Sequence, residues 1–69
     1  MKQKYYVNDT PQTNGDHEIH VPTCYFFSMI KNRTYLGEFE TCYEAVHKAK
    51  KLYSTANGCI HCCPQCHTR

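Results

Sequence analysis

The sequence predicts an α+β fold: a small antiparallel sheet of about three strands, one helix packed on that sheet, and a cysteine-rich knuckle at the C-terminus. Three observations predict it, namely early segments of strand composition, one amphipathic segment that opens with a helix-capping motif, and four cysteines within residues 59–66. We expect the 69 residues to form a single domain, 1–69. A core of this size is marginal, so a metal or disulfides should contribute to its stability.

Two N-terminal segments are predicted to pair as antiparallel strands. Residues 4–8 are rich in strand formers, and residues 17–21 alternate polar and apolar side chains. Asn14 and Gly15 between them readily adopt positive φ, which suits a tight reversal of the chain. Pro22 should end the second strand because it has no N–H to donate.

A third strand is predicted over residues 33–39, with Gly37 as a bulge or a point of close approach. Residues 25–30 before it are apolar and fit either a turn or a short helical piece. The side chains expected to face the helix from the sheet are those of Tyr6, Ile19, Val21, Tyr35, Leu36 and Phe39.

The predicted helix covers residues 42–54. Thr41 and Glu44 form a capping box, in which Thr41 caps the helix and Glu44 reaches back to the Thr41 N–H. Asn57 and Gly58 provide a C-terminal stop. An apolar stripe recurs at helical spacing, and on it we interpret Cys42 as a small buried core residue. The stripe comprises Cys42, Ala45, Val46, Ala49, Leu52 and Tyr53.

Composition and charge exclude several classes of protein. The formal net charge is only +2, and the one basic run, residues 48–51, fits the solvated side of the helix. No apolar run approaches the ~20 residues of a membrane span. The first nine residues lack the apolar region of a secretory signal, so we expect a cytoplasmic protein. We also expect the protein to be a monomer. Thiols stay reduced in that compartment, which favours metal-binding or redox cysteines.

The cysteines and one histidine predict a single structural zinc ion. Zinc prefers four tetrahedral Cys or His ligands, commonly as one close pair from each of two separated segments. The spacing His20-x3-Cys24 supplies one pair, and two abutting Cys-x-x-Cys pairs in the tail compete to supply the other. One four-coordinate ion cannot use all the candidates, of which Cys63 is the weaker member. The candidate ligands are His20, Cys24, Cys59, Cys62, Cys63 and Cys66.

This pattern resembles a known zinc module. His20-x3-Cys24, then a helix opened by Thr41 and Glu44, then Cys59-x-x-Cys62, is similar to the zinc domain of the bacterial methylphosphotriester DNA-repair protein and to tails of related bacterial nucleases. The whole chain also resembles small bacterial zinc-binding proteins of about this length. The resemblance implies a zinc site but no activity, because the second Cys-x-x-Cys and the longer helix-to-cysteine spacing depart from the family and no cysteine is marked as a methyl acceptor.

Three other uses of the cysteines stay open. Cys63-Pro64-Gln65-Cys66 matches thiol–disulfide oxidoreductases, although too few residues follow for the helix that activates such a motif. Cys63-x-x-Cys66-His67 matches the c-type haem attachment pattern. In a secreted protein, all the cysteines would form a disulfide framework.

For function, the sequence favours a non-enzymatic zinc domain that binds nucleic acid or protein, with a thiol–disulfide redox protein as the alternative. It predicts no catalytic residues, and no cofactor besides Zn²⁺. The binding surface would be the sheet face or the basic run at residues 48–51. Several aromatic side chains could stack on bases, but core and sheet packing is the more common role of aromatic residues in a small domain.

Overall fold

The computed structural model describes residues 1–68. Within them the chain forms four strands, one α-helix and two single turns of 3₁₀-helix, the latter at Phe27–Met29 and Pro64–Cys66. The regular elements are β1 (Gln3–Asn8), β2 (His17–His20), β3 (Arg33–Phe39), α1 (Cys42–Ala49) and β4 (Ala56–Gly58). The α+β class predicted from the sequence is confirmed.

The four strands form one mixed sheet in the order β3-β1-β2-β4. Strand β1 pairs antiparallel with both β2 and β3, as predicted, whereas β4 pairs parallel with β2. The prediction of about three antiparallel strands missed β4, because its Ala-Asn-Gly sequence has almost no strand propensity. Its flanks are anchored by backbone hydrogen bonds, in which His17 donates to Thr55 and Cys59 donates to Ile19.

A bulge interrupts the pairing of β1 with β3. Tyr5 pairs with Gly37 and Tyr6 pairs with Tyr35, so Leu36 is the extra residue. Gly37 has a φ of +126°, a value that L side chains rarely adopt. The predicted bulge at Gly37 is therefore confirmed.

Helix α1 begins where the capping box predicts. The Thr41 hydroxyl accepts a hydrogen bond from the Glu44 N–H, and the Glu44 carboxylate accepts one from the Thr41 N–H. The helix ends at Ala49, earlier than the predicted residue 54. The following turn brings Tyr53 back to the sheet, where its hydroxyl donates to Asp9 and its ring stacks on His17 at 3.7 Å between centroids. Leu52 consequently lies outside the core and is 56% exposed.

The core lies between α1 and one face of the sheet. Val7 and Ile19 on the strands and Ala45 and Ala49 on the helix are fully buried. Two alanines on the buried stripe allow the helix backbone to approach the sheet closely. The core also contains Tyr5, Val21, Leu36, Ala56 and most of the cysteines.

The opposite face of the sheet carries aromatic side chains covered by the segment between β2 and β3. The Tyr6 ring lies 5.1 Å from that of Tyr35 and 5.2 Å from that of Phe27, and the Arg33 guanidinium stacks over Phe27 at 4.5 Å. The prediction that Tyr6 and Tyr35 face the helix is wrong. Neighbouring strand residues point to opposite faces, and Tyr5 and Leu36 occupy the helix side. No helix among residues 1–68 is long and apolar enough to cross a membrane.

Candidate metal centre

The ends of two neighbouring strands bring four potential metal ligands together. His20 is the last residue of β2, and Cys24 follows in a turn closed by a hydrogen bond from the Cys24 N–H to the Val21 carbonyl. Cys59 directly follows β4, and a hydrogen bond from the Cys63 N–H to the Cys59 carbonyl closes the turn that carries Cys62. Because β2 and β4 run parallel, both turns lie at the same edge of the sheet.

The four donor atoms have the spacing of a metal shell. They all lie within 4.8 Å of one another. The His20 Nδ1 lies 3.6 Å from the Cys24 Sγ and 3.9 Å from the Cys62 Sγ, and the Cys24 and Cys59 sulfurs are 4.0 Å apart. A tetrahedral zinc ion, with Zn–S of about 2.3 Å and Zn–N of about 2.0 Å, would place sulfurs about 3.8 Å apart and nitrogen about 3.5 Å from sulfur.

Because the cluster is buried, its cysteine thiols are unfavourable in the charged, thiolate form. His20, Cys24 and Cys59 are buried, and Cys62 is half-buried. Desolvation raises the pKa of Cys59 to about 12 and also raises the pKa of Cys24. The pKa of Cys62 is raised mainly by its hydrogen bond with Cys63 and then by burial. Without a cation the thiols therefore stay protonated, whereas a bound metal ion deprotonates its thiol ligands.

The imidazole of His20 is prepared for coordination. Burial lowers the pKa of His20 to about 4, so the ring is in the neutral form that binds metals. Its Nε2 lies 3.5 Å from the Glu18 carboxylate, and its Nδ1 faces the sulfurs. A carboxylate on the distal nitrogen is the usual outer partner of a metal-bound histidine, because it fixes the tautomer and the ring orientation. Desolvation raises the pKa of Glu18.

Not all six candidate ligands join the cluster. Cys66 is disulfide-bonded to Cys42, and a sulfur in a disulfide is not a thiolate ligand. Cys63 is a buried free thiol whose Sγ lies 3.9 Å from the Cys62 Sγ, but it lies outside the group of four. A hydrogen bond from the Cys62 thiol lowers the pKa of Cys63. The structure thus brings together His20, Cys24, Cys59 and Cys62, and it does not support Cys66 as a ligand.

The disulfide also corrects the interpretation of Cys42 as an ordinary core residue. It is buried, as predicted, but its side chain joins the first turn of α1 to the tail across 24 residues. Sequence reasoning missed the bond because disulfide pairing depends on Cα separation, here 6.3 Å, and not on any local motif. The density of cysteines was the one signal available, and the expected reducing compartment argued against a disulfide.

Close packing against β4 directs the second half of the tail toward the helix. A Cβ atom on Gly58 would lie 2.7 Å from the Cys66 Cβ and 2.9 Å from the Cys63 carbonyl oxygen, so only glycine fits at this position. The Tyr43 hydroxyl on α1 donates to the Gln65 carbonyl at 3.2 Å. These contacts place Cys66 beside Cys42 and separate the two Cys-x-x-Cys pairs.

The disulfide pairing of the tail cysteines is relevant to two other interpretations of residues 63–67, as a redox motif and as a haem attachment site. Cys63 and Cys66 are not bonded to each other, although they form the Cys-Pro-x-Cys motif. The disulfide leaves Cys66 without the free thiol that haem attachment needs, and the Nδ1 of His67 lies 3.0 Å from the Gly58 carbonyl oxygen.

Comparison with protein-family models, with curated proteins and with solved structures found no match for this chain.

Proposed function

We propose that this chain is a small binding domain whose fold is completed by one structural Zn²⁺ ion held by His20, Cys24, Cys59 and Cys62. The observation that carries the proposal is the convergence of four donor atoms, from two segments more than 30 residues apart, within 4.8 Å of one another. Soft thiolates combined with one imidazole are typical zinc ligands.

The ligand shell supports a structural role for the metal. Four protein ligands fill a tetrahedral shell, whereas catalytic zinc usually has three and keeps one position for water or substrate. Three of the four ligands are buried, which limits solvent access. This arrangement favours a folding site over an enzymatic one. The resemblance to the zinc domain of the bacterial DNA-repair protein agrees with this ligand set.

Under reducing conditions the metal ion would be the cross-link that remains. Disulfides are rare in the cytoplasm, so in the cytoplasmic location that we propose the Cys42–Cys66 bond would open. Zinc-bound thiolates remain stable under the same conditions. The metal would then hold the ends of β2 and β4 together without help from the disulfide.

The proposal is tested by elemental analysis of protein purified without chelators. We expect about one zinc per chain in the wild type, because the four ligands form one site. Cys59→Ser should lose the zinc, since it removes a buried ligand. Cys63→Ser is the matched control: it changes a buried cysteine of the same tail and should retain the metal. Zinc-free wild-type protein, or equal zinc loss in both variants, would contradict the proposal.

A further inference from the structure

A cavity of about 280 Å³ lies beside the candidate metal centre. Two of the proposed ligands, His20 and Cys59, form part of its wall. The rest of the lining is divided between polar and apolar side chains, including Glu18 and Gln12 on the one hand and Phe26 and Ile60 on the other. A cavity of this size is smaller than most drug-binding pockets, so it suits a short chain or a small molecule.

The electrostatics of this cavity favour a cation. Glu18 contributes a carboxylate whose side chain is only 13% exposed. Among residues 1–68 no lysine or arginine lines the cavity. A zinc ion with three thiolates and a neutral imidazole carries a net negative charge, which adds to that of Glu18. An anionic ligand, including the phosphates of nucleic acid, would be repelled here.

The apolar part of the lining favours an alkyl chain on that cation. Met29 and Ile60 line the cavity and are 68% and 55% exposed. The Phe26 ring lies 4.7 Å from the His61 ring, and both belong to the same wall. Exposed apolar and aromatic groups beside a carboxylate match a ligand with an aliphatic stem and a charged head, as in a lysine side chain.

We infer that this cavity binds a primary alkylammonium group, with the aliphatic stem against Phe26, Met29 and Ile60 and the ammonium group donating hydrogen bonds to the Glu18 carboxylate. The group could belong to a small free amine or to a lysine side chain of a partner protein. The inference rests on the proposed function in two respects, because the metal would hold His20 and Cys59 in the cavity wall and its thiolate ligands would add negative charge beside the cavity.

The test is an NMR titration of the zinc-loaded full chain at pH 7 with n-butylamine, which is protonated at that pH. n-Butanol is the uncharged control of similar size. Butylammonium should shift the backbone amide resonances of Glu18, Phe26 and Ile60, and butanol should shift them far less. Equal shifts with both compounds, or none with butylammonium, would overturn the inference.

Two variants separate the role of the carboxylate from folding. Glu18→Gln should weaken butylammonium binding at least about tenfold, because a charge-assisted hydrogen bond is lost. Glu38→Gln removes the same charge from an exposed position on β3 and should bind like the wild type. Zinc content is measured for each variant, because Glu18 also contacts His20. Unchanged affinity in zinc-loaded Glu18→Gln would overturn the inference.

A third test changes Met29, a residue of the cavity wall that is neither a proposed metal ligand nor a hydrogen-bond partner of one. Met29→Lys places a competing ammonium group on an exposed residue of the cavity wall and should lower the affinity for butylammonium about tenfold. The uncharged substitution Met29→Gln should lower that affinity far less. Similar effects of the two substitutions would contradict a cation site.

The two sources of the ligand are distinguished by a short lysine-containing peptide and its norleucine counterpart. Tighter binding of the lysine peptide than of butylammonium would identify a partner chain, and binding of butylammonium alone would identify a free amine. Binding of neither cation by zinc-loaded protein would overturn this inference and leave the metal site intact. Failure of the metal proposal itself is detected separately, by elemental analysis.

Discussion

The two Cys-x-x-Cys pairs of the tail have identical spacing and abut each other, yet the fold uses them differently. Cys59 and Cys62 face His20 and Cys24 at the edge of the sheet. In the second pair, Cys66 is bonded to Cys42 on the helix and Cys63 remains a buried free thiol. The spacing allows either pair to chelate a metal ion, and the neighbouring elements determine which pair lies beside other potential ligands.

Each pair fastens the tail to a different part of the molecule. The first pair follows β4, whose parallel pairing with β2 places it next to the other two ligands. The second pair is turned toward α1 by the close packing of Cys66 on Gly58. The disulfide therefore joins the tail to the helix, whereas the proposed metal ion would join the strand ends.

Removal of the metal should have the largest effect. The free energy of zinc binding in small zinc domains, about 10–16 kcal/mol, is comparable to or larger than the total stability of a domain this size. We therefore expect a strong chelator to unfold the protein or to lower its melting temperature by tens of degrees, as measured by circular dichroism. Cys63→Ser should respond like the wild type. An unchanged melting curve after verified removal of zinc would contradict a structural metal.

Loss of the disulfide should have a smaller effect. In the chain-entropy treatment, a bond that closes a loop of 24 residues stabilises the folded state by about 3.5 kcal/mol. Cys42→Ser should lower the free energy of unfolding by about this amount relative to the oxidised wild type, in which the disulfide is formed, while zinc content stays at about one per chain. Urea denaturation with parallel metal analysis measures both quantities. Zinc loss in folded Cys42→Ser would show that the disulfide and the metal site are not independent.

Gly58→Ala should perturb the junction between the two pairs. The added methyl group would overlap the Cys66 Cβ and backbone atoms of the tail, and overpacking of this kind costs about 1–3 kcal/mol. The control is Ser54→Ala, which changes an exposed residue shortly before β4 and should stay within about 0.5 kcal/mol of the wild type. Equal thermal stability of the two variants would contradict the packing described here.

Thr41→Ala perturbs the first turn of α1, which is joined to the tail by the Cys42–Cys66 disulfide, and should have the smallest effect. The Thr41 hydroxyl accepts from the Glu44 N–H at 3.4 Å, and loss of such a cap typically costs about 1 kcal/mol. Thr13→Ala changes an exposed turn residue and should stay within about 0.5 kcal/mol of the wild type. Chemical denaturation resolves this difference, and indistinguishable variants would count against the capping box.

Local chemistry explains which parts of the fold were predictable. The capping box located the start of α1, and strand composition located β1, β2 and β3. The end of α1 was not predictable, because a tertiary contact of Tyr53 with Asp9 and His17 turns the chain earlier than its propensity suggests. Strand β4 escaped prediction because its existence depends on pairing with β2.

The candidate metal site, like the fold, was only partly predictable from the sequence. The spacings His20-x3-Cys24 and Cys59-x-x-Cys62 identified all four residues of the cluster. Spacing could not exclude Cys63 and Cys66, because both Cys-x-x-Cys pairs are equally good chelates in isolation. The disulfide partner of Cys66 lies 24 residues away and is brought near only by the completed fold. From the sequence, Glu18 fitted an ordinary solvated carboxylate. Its role depends on the position of its carboxylate beside the His20 ring, on the same face of β2.

Zinc X-ray absorption spectroscopy of the wild-type protein directly measures the ligands of the proposed zinc ion. If His20, Cys24, Cys59 and Cys62 bind it, the spectrum should show three sulfur ligands at about 2.3 Å and one nitrogen at about 2.0 Å. Loss of the nitrogen signal in His20→Ala would assign that ligand to His20. A shell of four sulfurs would contradict the proposed ligand set, because it would require Cys63 or Cys66 to replace His20.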